Sequence, residues 1–556
     1  MDARERRLFR NDEIVPLTPK VFDLLLVLVQ NHGHILTKDE MLRLVWPDVE
    51  VEEGNVSRNI STLRSALGER PNEHQYIETA PWRGYRFVAN VKEVFPEVGG
   101  MPASSLAVLP FINATHDPEL EYVSDGITES LINKFSQFAQ LKVMSRNSVF
   151  RYKGREIQAS VVGHELNVHA VMSGRLAKYG DRLSISVELV DASDDRHIWG
   201  SQYIRNPSDI LTMPERIAQE ITDKLRVKLT GEEQQRLARR QTQSAEAYQL
   251  YLKGRYFFNK LTPDGVQKGI DHFKQAIEID PAYAMAHVGL GDCCNYLAKP
   301  TEARQAMTKA LEIDETLGEA HASLGFFKFV YDWDFPGAER EFSLSLKLKP
   351  NYAEAHHWSS IYFANMGRHD EADVEAKLSV ELDPLSLLMN VTPGLTAYLA
   401  RDYERAAAHL LRVIELDNRF PAAHSVLGNT YLQQGFYDEA IAEYQKVLSL
   451  CGDVRSVRLS VEALLGQAYA NLGDRNKALH ILDELIKASE EKDQPISLLS
   501  IAEIHAALGQ IDEAFEWLNK AFDQHDMQMV SLRVNPTLDP LRDDSRFADL
   551  LKRMRL

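Results

Sequence analysis

Arg58, Asn59, Ser61, Thr62 and Arg64 stand within seven positions of one another, in the stretch 51–67 that reads VEEGNVSRNISTLRSAL. Placed on a helix at 100° per residue, Val56, Ile60, Leu63 and Leu67 fall within one narrow arc. Arg58, Ser61, Thr62 and Ser65 point the opposite way, and Asn55, Ser57, Asn59 and Arg64 lie on the flanks. No acidic residue follows Glu53 within the stretch. Short hydroxyl and amide side chains beside Arg are the groups that read base edges in a major groove and hold phosphates. An ordinary solvated helix would carry a similar face, so the flanking elements decide between the two.

Those elements are legible. Leu17-Thr18-Pro19-Lys20 opens a helix, with Thr18 as its expected cap and Pro19 in the first turn. Phe22, Leu25, Leu26 and Val29 form its expected buried stripe, and Asn31-His32-Gly33 ends it. Thr37-Lys38-Asp39-Glu40 is a capping-box pattern ahead of Met41, Leu42, Leu44 and Val45. Trp46-Pro47 is expected to stop this second helix. After Gly68, residues 75–79 and 85–88 read as two strands joined through Ala80-Pro81-Trp82-Arg83-Gly84. Three helices followed by a hairpin predict a winged helix-turn-helix whose third helix enters the major groove.

LTPKVFDLLLVLV, the LTKDEML helix start, NVSRNISTLRSALG and YIETAPWRGYRFVA together resemble the OmpR/PhoB-type winged-helix DNA-binding domain, over residues 1–95. The resemblance implies a short N-terminal strand set and DNA contacts from the third helix and the wing, often by paired copies. By position it places Arg58, Asn59, Ser61, Thr62 and Arg64 toward the groove or the phosphates and Arg83 on the wing. Arg86, in the Gly-Tyr-Arg-Phe segment, reads as structural. Ser61 and Thr62 stand where relatives are often basic. No receiver domain precedes the segment, so activation by phosphorylation of such a domain is not expected.

A Pro- and Gly-containing linker at 95–102 leads to a segment at 104–230 that alternates short strands and helices, which predicts a compact α/β domain. LAVLPF, YVSDGITESL, MSRNSVFRYKG, VMSGRL and HIWGSQY resemble the TolB N-terminal-like (FlgO-like) domain. Ser124-Asp125-Gly126 reads as a turn and helix N-cap, with an anion site on free backbone N–H groups as the sharper alternative.

Residues 244–540 repeat. Ala303, Ala338, Ala372, Ala406, Ala440, Ala478 and Ala514 are separated by 35, 34, 34, 34, 38 and 36, and Gly269 fills the same slot 34 residues before Ala303. Helix ends fall in step at Asp280, Asp314, Lys349, Asp383, Asp417 and Cys451. A helix–turn–helix period of 34 resembles tetratricopeptide repeats, about eight of them, forming an all-α superhelix whose concave surface takes a protein or peptide. Residues 541–556 read as a capping helix on an open-ended stack. Tyr296, Trp333, Tyr352, Trp358 and Tyr431 are expected to pack within repeats, and adjacent Cys293 and Cys294 to be structural.

At 556 residues the chain is multidomain, and its three Cys suit a reducing compartment. No signal peptide or apolar span is evident, which places it in the cytoplasm without a membrane partner. The net charge is −18, and residues 1–95 hold 13 Lys/Arg against 15 Asp/Glu, so DNA affinity must rest on a few placed residues. GxxxxGK[ST], HExxH, CxxC, GxSxG and a strand–helix GxGxxG are all missing. The chain is therefore read as a non-enzyme with no cofactor and no metal site. The domain order resembles soluble bacterial CadC/HilA-like transcriptional regulators. That implies promoter DNA as one partner and, in the repeat groove, RNA polymerase or a signalling protein, with self-association on DNA. The alternative is a repeat-based interaction scaffold whose winged helix no longer binds DNA; the charge balance of residues 1–95 favours it, and the three arginines at 58, 64 and 83 favour the regulator.

Overall fold

The computed structural model describes residues 8–10, 13–15, 17–45, 53–69, 75–81, 83–89, 105–115, 117–179, 182–206, 212–225, 227, 229–452, 455–491 and 496–556. Two compact units result, 1–101 and 102–556. The expected stop at Trp46-Pro47, the linker at 95–102, and Trp82 of the expected hairpin tip lie outside the described residues.

In the first unit, β1 (Leu8–Arg10) and β2 (Glu13–Val15) pair antiparallel. Helices α1 (Pro19–Gln30), α2 (Lys38–Val45) and α3 (Glu53–Leu67) follow, with β3 (Ile35–Leu36) between the first two. β4 (Ile77–Ala80) and β5 (Gly84–Phe87) form the hairpin, and β3 adds to it in the order β3-β5-β4. Two residues of strand are too short to leave a periodic signal, which is why β3 escapes a sequence reading. Gly84 makes the junction possible: its φ is +137°, and a Cβ there would lie 2.0 Å from the Leu36 carbonyl oxygen.

Three expectations in this unit change. Thr18 precedes α1 in an extended conformation but makes no side-chain cap bond, so Pro19 alone marks the helix start. The buried face of α1 is Val21, Phe22, Leu24, Leu25 and Leu28, and Leu26 and Val29 are only partly covered. α1 packs on both α2 and α3, so its apolar arc is wider and rotated from the stripe inferred from spacing alone. Leu44 is 57% exposed, while Met41 and Val45 carry the contact of α2. The capping box at α2 forms as expected: the Thr37 N–H donates to the Glu40 carboxylate at 2.8 Å and the Glu40 N–H to the Thr37 hydroxyl at 3.2 Å. The Thr37 N–H and the Thr37 hydroxyl, which also donates to the carboxylate at 2.8 Å, hold the Glu40 carboxyl below its usual range.

The second unit begins with a six-stranded mixed sheet. β6 (Ser105–Val108) lies between β8 (Lys142–Val143) and β9 (Ala170–Tyr179), parallel to both. β7 (Ile112–Asn113) also pairs with β9, and β10 (Arg182–Asp191) and β11 (Arg196–Arg205) extend the sheet antiparallel. Helices α4 (Glu121–Phe135), α5 (Arg146–Phe150), α6 (Ala159–Leu166), α7 (Met213–Lys224) and α8 (Gly231–Ala238) complete this part.

Eight antiparallel helix pairs follow. The first four are α9 (Ala245–Phe258) with α10 (Pro263–Ile279), α11 (Ala284–Tyr296) with α12 (Pro300–Ile313), α13 (Gly318–Val330) with α14 (Phe335–Leu348), and α15 (Ala353–Asn365) with α16 (His369–Leu382). The last four are α17 (Leu387–Leu399) with α18 (Tyr403–Leu416), α19 (Pro421–Gln434) with α20 (Tyr437–Cys451), α21 (Arg455–Leu472) with α22 (Arg475–Ser489), and α23 (Leu498–Ala507) with α24 (Ile511–Asp523). Every alanine of the repeat is fully buried, from Ala303 to Ala514. Opposite them sit glycines against large side chains: a Cβ at Gly428 would lie 2.4 Å from the Tyr444 ring. The thiols of Cys293 and Cys294 are buried, and burial pushes Cys293 up to about 12, which suits an inert core role.

The array is not open-ended. α25 (Ser545–Met554) buries Phe547, Leu550 and Met554, and the chain before it runs back to earlier repeats. Trp333 stacks on His525 at 3.8 Å, Val534 packs among Ala364, Ala372 and Ala397, and Arg401 pairs with Asp539. The segment between α24 and α25, through His525, Val534 and Asp539, thus ties the eighth pair to the third, fourth and fifth. Of the five aromatics expected to pack within repeats, Trp333 is instead buried in this closure, Trp358 lies on Phe326 of the preceding pair at 4.4 Å, and Tyr352 is half-buried beneath Lys349. Tyr431 meets Phe436 at 6.3 Å, and Tyr296 is 46% exposed, with its hydroxyl donating to the Leu261 carbonyl.

Candidate nucleic-acid interface

α3 exists because Val56, Ile60 and Leu63 repeat at helical spacing; all three are at most 1% exposed. Burial of each contributes roughly 1.5–3 kcal/mol and fixes the helix's rotation about its own axis. The opposite side is therefore set as well. Arg58, Ser61, Thr62 and Ser65 are exposed in one line, and Asn55, Ser57, Asn59 and Arg64 are half-buried on the flanks. Ser65 shares the outer face with the three candidate groove residues. The 100° projection is the signal that finds it.

The six candidate residues then separate by what they touch. The Thr62 hydroxyl donates to the Arg58 carbonyl at 3.1 Å, leaving its methyl and an oxygen lone pair outward. Asn59 donates from Nδ2 to the Asn55 carbonyl at 2.9 Å, which leaves its Oδ1 as an acceptor. Arg83, exposed at the hairpin tip, donates its backbone N–H to the Ala80 carbonyl at 3.0 Å. Arg64 differs. Its Nη2 donates to the Ile77 carbonyl at 2.7 Å and to the Thr79 hydroxyl at 2.9 Å, and its Nε lies 3.8 Å from the buried Glu69 carboxylate. Arg64 thus fastens the third helix to the wing. Helical projection places a residue on a flank, but only the position of β4 shows what that flank meets.

One more contact joins helix and wing, and another braces the wing itself. The Tyr85 hydroxyl donates to Ser57 Oγ at 3.2 Å, and the Arg86 guanidinium binds Glu78 across the hairpin at 2.5 and 2.8 Å. The structural reading of Arg86 holds. The resulting surface presents a line of short hydroxyls with Arg58 on the helix and a second guanidinium, Arg83, on the wing. Chemically it offers donors and acceptors for base edges plus two cations for guanine or phosphate.

The Ser124-Asp125-Gly126 motif holds no anion site. It lies inside α4 rather than at its start, and the Lys153 ammonium donates to both Asp125 carboxylate oxygens at 2.7 Å. The turn-and-cap reading falls with it, since Leu120 precedes α4 with no side-chain cap bond. Gly126 is instead a contact glycine: a Cβ there would lie 2.6 Å from Leu252 of α9.

Helix ends that recur with the repeat period turn out to hold the sheet-containing part. Asp314 accepts from Arg239 at 2.8 Å, Lys349 donates to Asn133 at 3.1 Å, and Asp383 accepts from Ser148 at 2.6 Å. Asn351, two residues past Lys349, donates to the Phe138 and Leu141 carbonyls and accepts from the Val143 N–H. The buried Glu129 carboxylate joins Arg146 of α5 to Arg255 of α9, and those two guanidinium groups hold it below the usual carboxyl range against its burial. The period marks these residues in the sequence, but nothing local says what they face.

Comparison with known proteins matches three segments in order. Residues 11–87 match the family described as "Transcriptional regulatory protein, C terminal", 102–223 the "HilA/YgeH-like transcriptional regulator, second domain", and 394–453 and 464–526 tetratricopeptide repeats. Transcriptional regulator HilA of Salmonella typhimurium is 24% identical over 399 residues, 69% of this chain and 70% of that protein. Transcriptional activator CadC of Escherichia coli is 35% identical over 83 residues, 15% of this chain and 16% of CadC. A protein named putative adenylate cyclase 3 of Rhizobium meliloti is 34% identical over 230 residues, 40% of this chain, and the chain spans 39% of its length. The three matched families are regulator domains and repeats, which serve DNA binding and protein interaction. No described helix is long and apolar enough to cross a membrane.

Proposed function

The chain is built as HilA-type transcriptional regulators are, with a DNA-binding domain, a HilA-like second domain and tetratricopeptide repeats, and we propose that it binds promoter DNA through α3 and the wing. The observation that carries this reading is the exposed line Arg58, Ser61, Thr62 and Ser65 opposite a fully buried stripe. In this reading α3 enters the major groove, Arg58 and Thr62 contact base edges, and Ser61 and Asn59 supply further hydrogen bonds. Arg83 meets phosphate from the wing. Arg64 acts indirectly, by holding the wing at the angle the groove requires. The chain acts without catalysis in the cytoplasm, and the repeats recruit a protein partner such as RNA polymerase or a signalling protein. Two cations give each copy modest affinity, so two copies on adjacent half-sites bind together.

The test is genome-wide recovery of bound DNA with the full chain and with Arg58→Ala/Arg83→Ala. The proposal expects discrete enriched sites that the double variant loses. Equal recovery by both proteins, or no enriched site at all, overturns it and leaves the interaction-scaffold reading.

A further inference from the structure

The repeats contain a second periodic pattern. His287, His321, His356, Asn390 and His424 are separated by 34, 35, 34 and 34, each in the first helix of its pair. In the second helices, Glu341, Glu375, His409 and Glu443 are each separated by 34. The structure joins the two series. The Nδ1 atoms of His321, His356 and His424 lie 2.6, 2.5 and 2.5 Å from the carboxylates of Glu341, Glu375 and Glu443. Each Nε2 reaches the carbonyl six residues earlier, at 2.9 Å. Three helix pairs therefore share one device, an imidazole held between a backbone carbonyl and a carboxylate.

The fifth pair breaks it. Asn390 keeps the scaffolding bond, donating to the Pro384 carbonyl at 2.9 Å, but the partner position holds His409 in place of a carboxylate. A groove of about 300 Å³ lies here between α16, α17 and α18. Pro393, Val413 and Leu416 give it apolar walls, Lys377, His409 and Arg412 line it as well, and two carboxylates, Asp373 and Glu381, lie at it too, Asp373 paired with Arg405 and Glu381 lying 3.7 Å from Lys142. Arg405, also lining it, spends its charge on Asp373 and, through Nε at 3.1 Å, on Asp402. Burial, with Arg405 and Arg412 beside it, holds the His409 imidazole below its ordinary range. At the position where the sister repeats hold a glutamate, this one holds His409, with Lys377, Arg412 and an apolar recess beside it.

We propose that this groove binds a small organic acid, whose carboxylate takes the place of the missing glutamate beside His409, Arg412 and Lys377 and whose aliphatic body lies on Pro393, Val413 and Leu416. A volume of about 300 Å³ is at the small end of the range for small-molecule sites, which suits a metabolite-sized acid. The acid bridges α16 and α18, so its binding stiffens the middle of the array.

Titration calorimetry on the full chain tests this, with straight-chain mono- and dicarboxylates of four to eight carbons and the matching alcohols as probes. At least one acid binds, and its alcohol binds about tenfold more weakly or worse. Asn390→His/His409→Glu installs the pair that three sister repeats already accommodate, so the array folds while acid binding falls about tenfold or more. Arg412→Met, which removes only an exposed charge, weakens the acid likewise. The proposal is overturned if no acid in the panel binds, if the alcohols bind equally, or if both variants bind as the natural chain does.

Discussion

Arg58 and Arg64 lie six residues apart on one helix and do different work. Arg58 is exposed, so Arg58→Ala leaves unfolding by urea within about 0.5 kcal/mol of the natural chain. The same change alters which DNA sequence is preferred, by about 1–3 kcal/mol at one base position, read by binding to a set of single-base variants of a recovered site. Arg64→Ala reverses the order of effects. It removes charged hydrogen bonds to Ile77 and Thr79 and leaves the buried Glu69 without its guanidinium. The DNA-binding unit loses about 1.5–3 kcal/mol by the same unfolding measurement, and affinity falls for all sequences alike.

At the scale of elements, the interface between the sheet-containing part and the repeats depends on a few buried polar groups. Asn351 satisfies three backbone groups of the 138–143 segment with one amide. Asn351→Ala removes its partner from the Leu141 carbonyl and the Val143 N–H, at about 1–3 kcal/mol for the first group left unpaired. Faster amide hydrogen exchange at Leu141 and Val143, with exchange in α19–α22 unchanged, is the expected signature. Close helix approach is equally demanding. Gly428→Ala pushes a methyl into the Tyr444 ring, and about 1–3 kcal/mol of stability is lost, measured by thermal unfolding of the full chain.

Across the whole molecule, charge sets the behaviour. With −18 overall, only placed cations favour DNA, so the affinity of one copy falls gently with salt. Arg83→Ala is expected to flatten the slope of log K against log salt by about one unit, as loss of one phosphate contact does. The array carries its own pH dependence. His321 presents Nδ1 to the Glu341 carboxylate and Nε2 to the Glu315 carbonyl; both are acceptors, so the ring is held as imidazolium. Although burial opposes it, the hydrogen bond to Glu341 raises the His321 pKa, and Lys328 and His321 together hold Glu341 down to about 2. The raised group stabilises fully below its ordinary value of 6.5 and stops doing so as pH rises through its higher folded value. The depressed Glu341 stabilises above 4.5, and its share is lost as pH falls toward about 2. Thermal unfolding of the full chain therefore moves to lower temperature as pH rises from 6.5, and His321→Gln reduces that fall.

Periodicity alone determined most of the architecture. The buried stripe of α3, the hairpin after it and the 34-residue step of small residues all follow from local spacing, because a helix or strand must bury whichever face repeats apolar. The outer line of Arg58, Ser61, Thr62 and Ser65 is the complement of that burial and was legible with it. What spacing could not determine was partnership across the fold. Arg64 on the wing strand, Asp314, Lys349 and Asp383 on the sheet-containing part, and Trp333 on His525 join residues far apart in the chain. A side chain's type and helical phase say that it needs a partner and roughly which way it points. Only the packing of distant elements supplies the atom it meets.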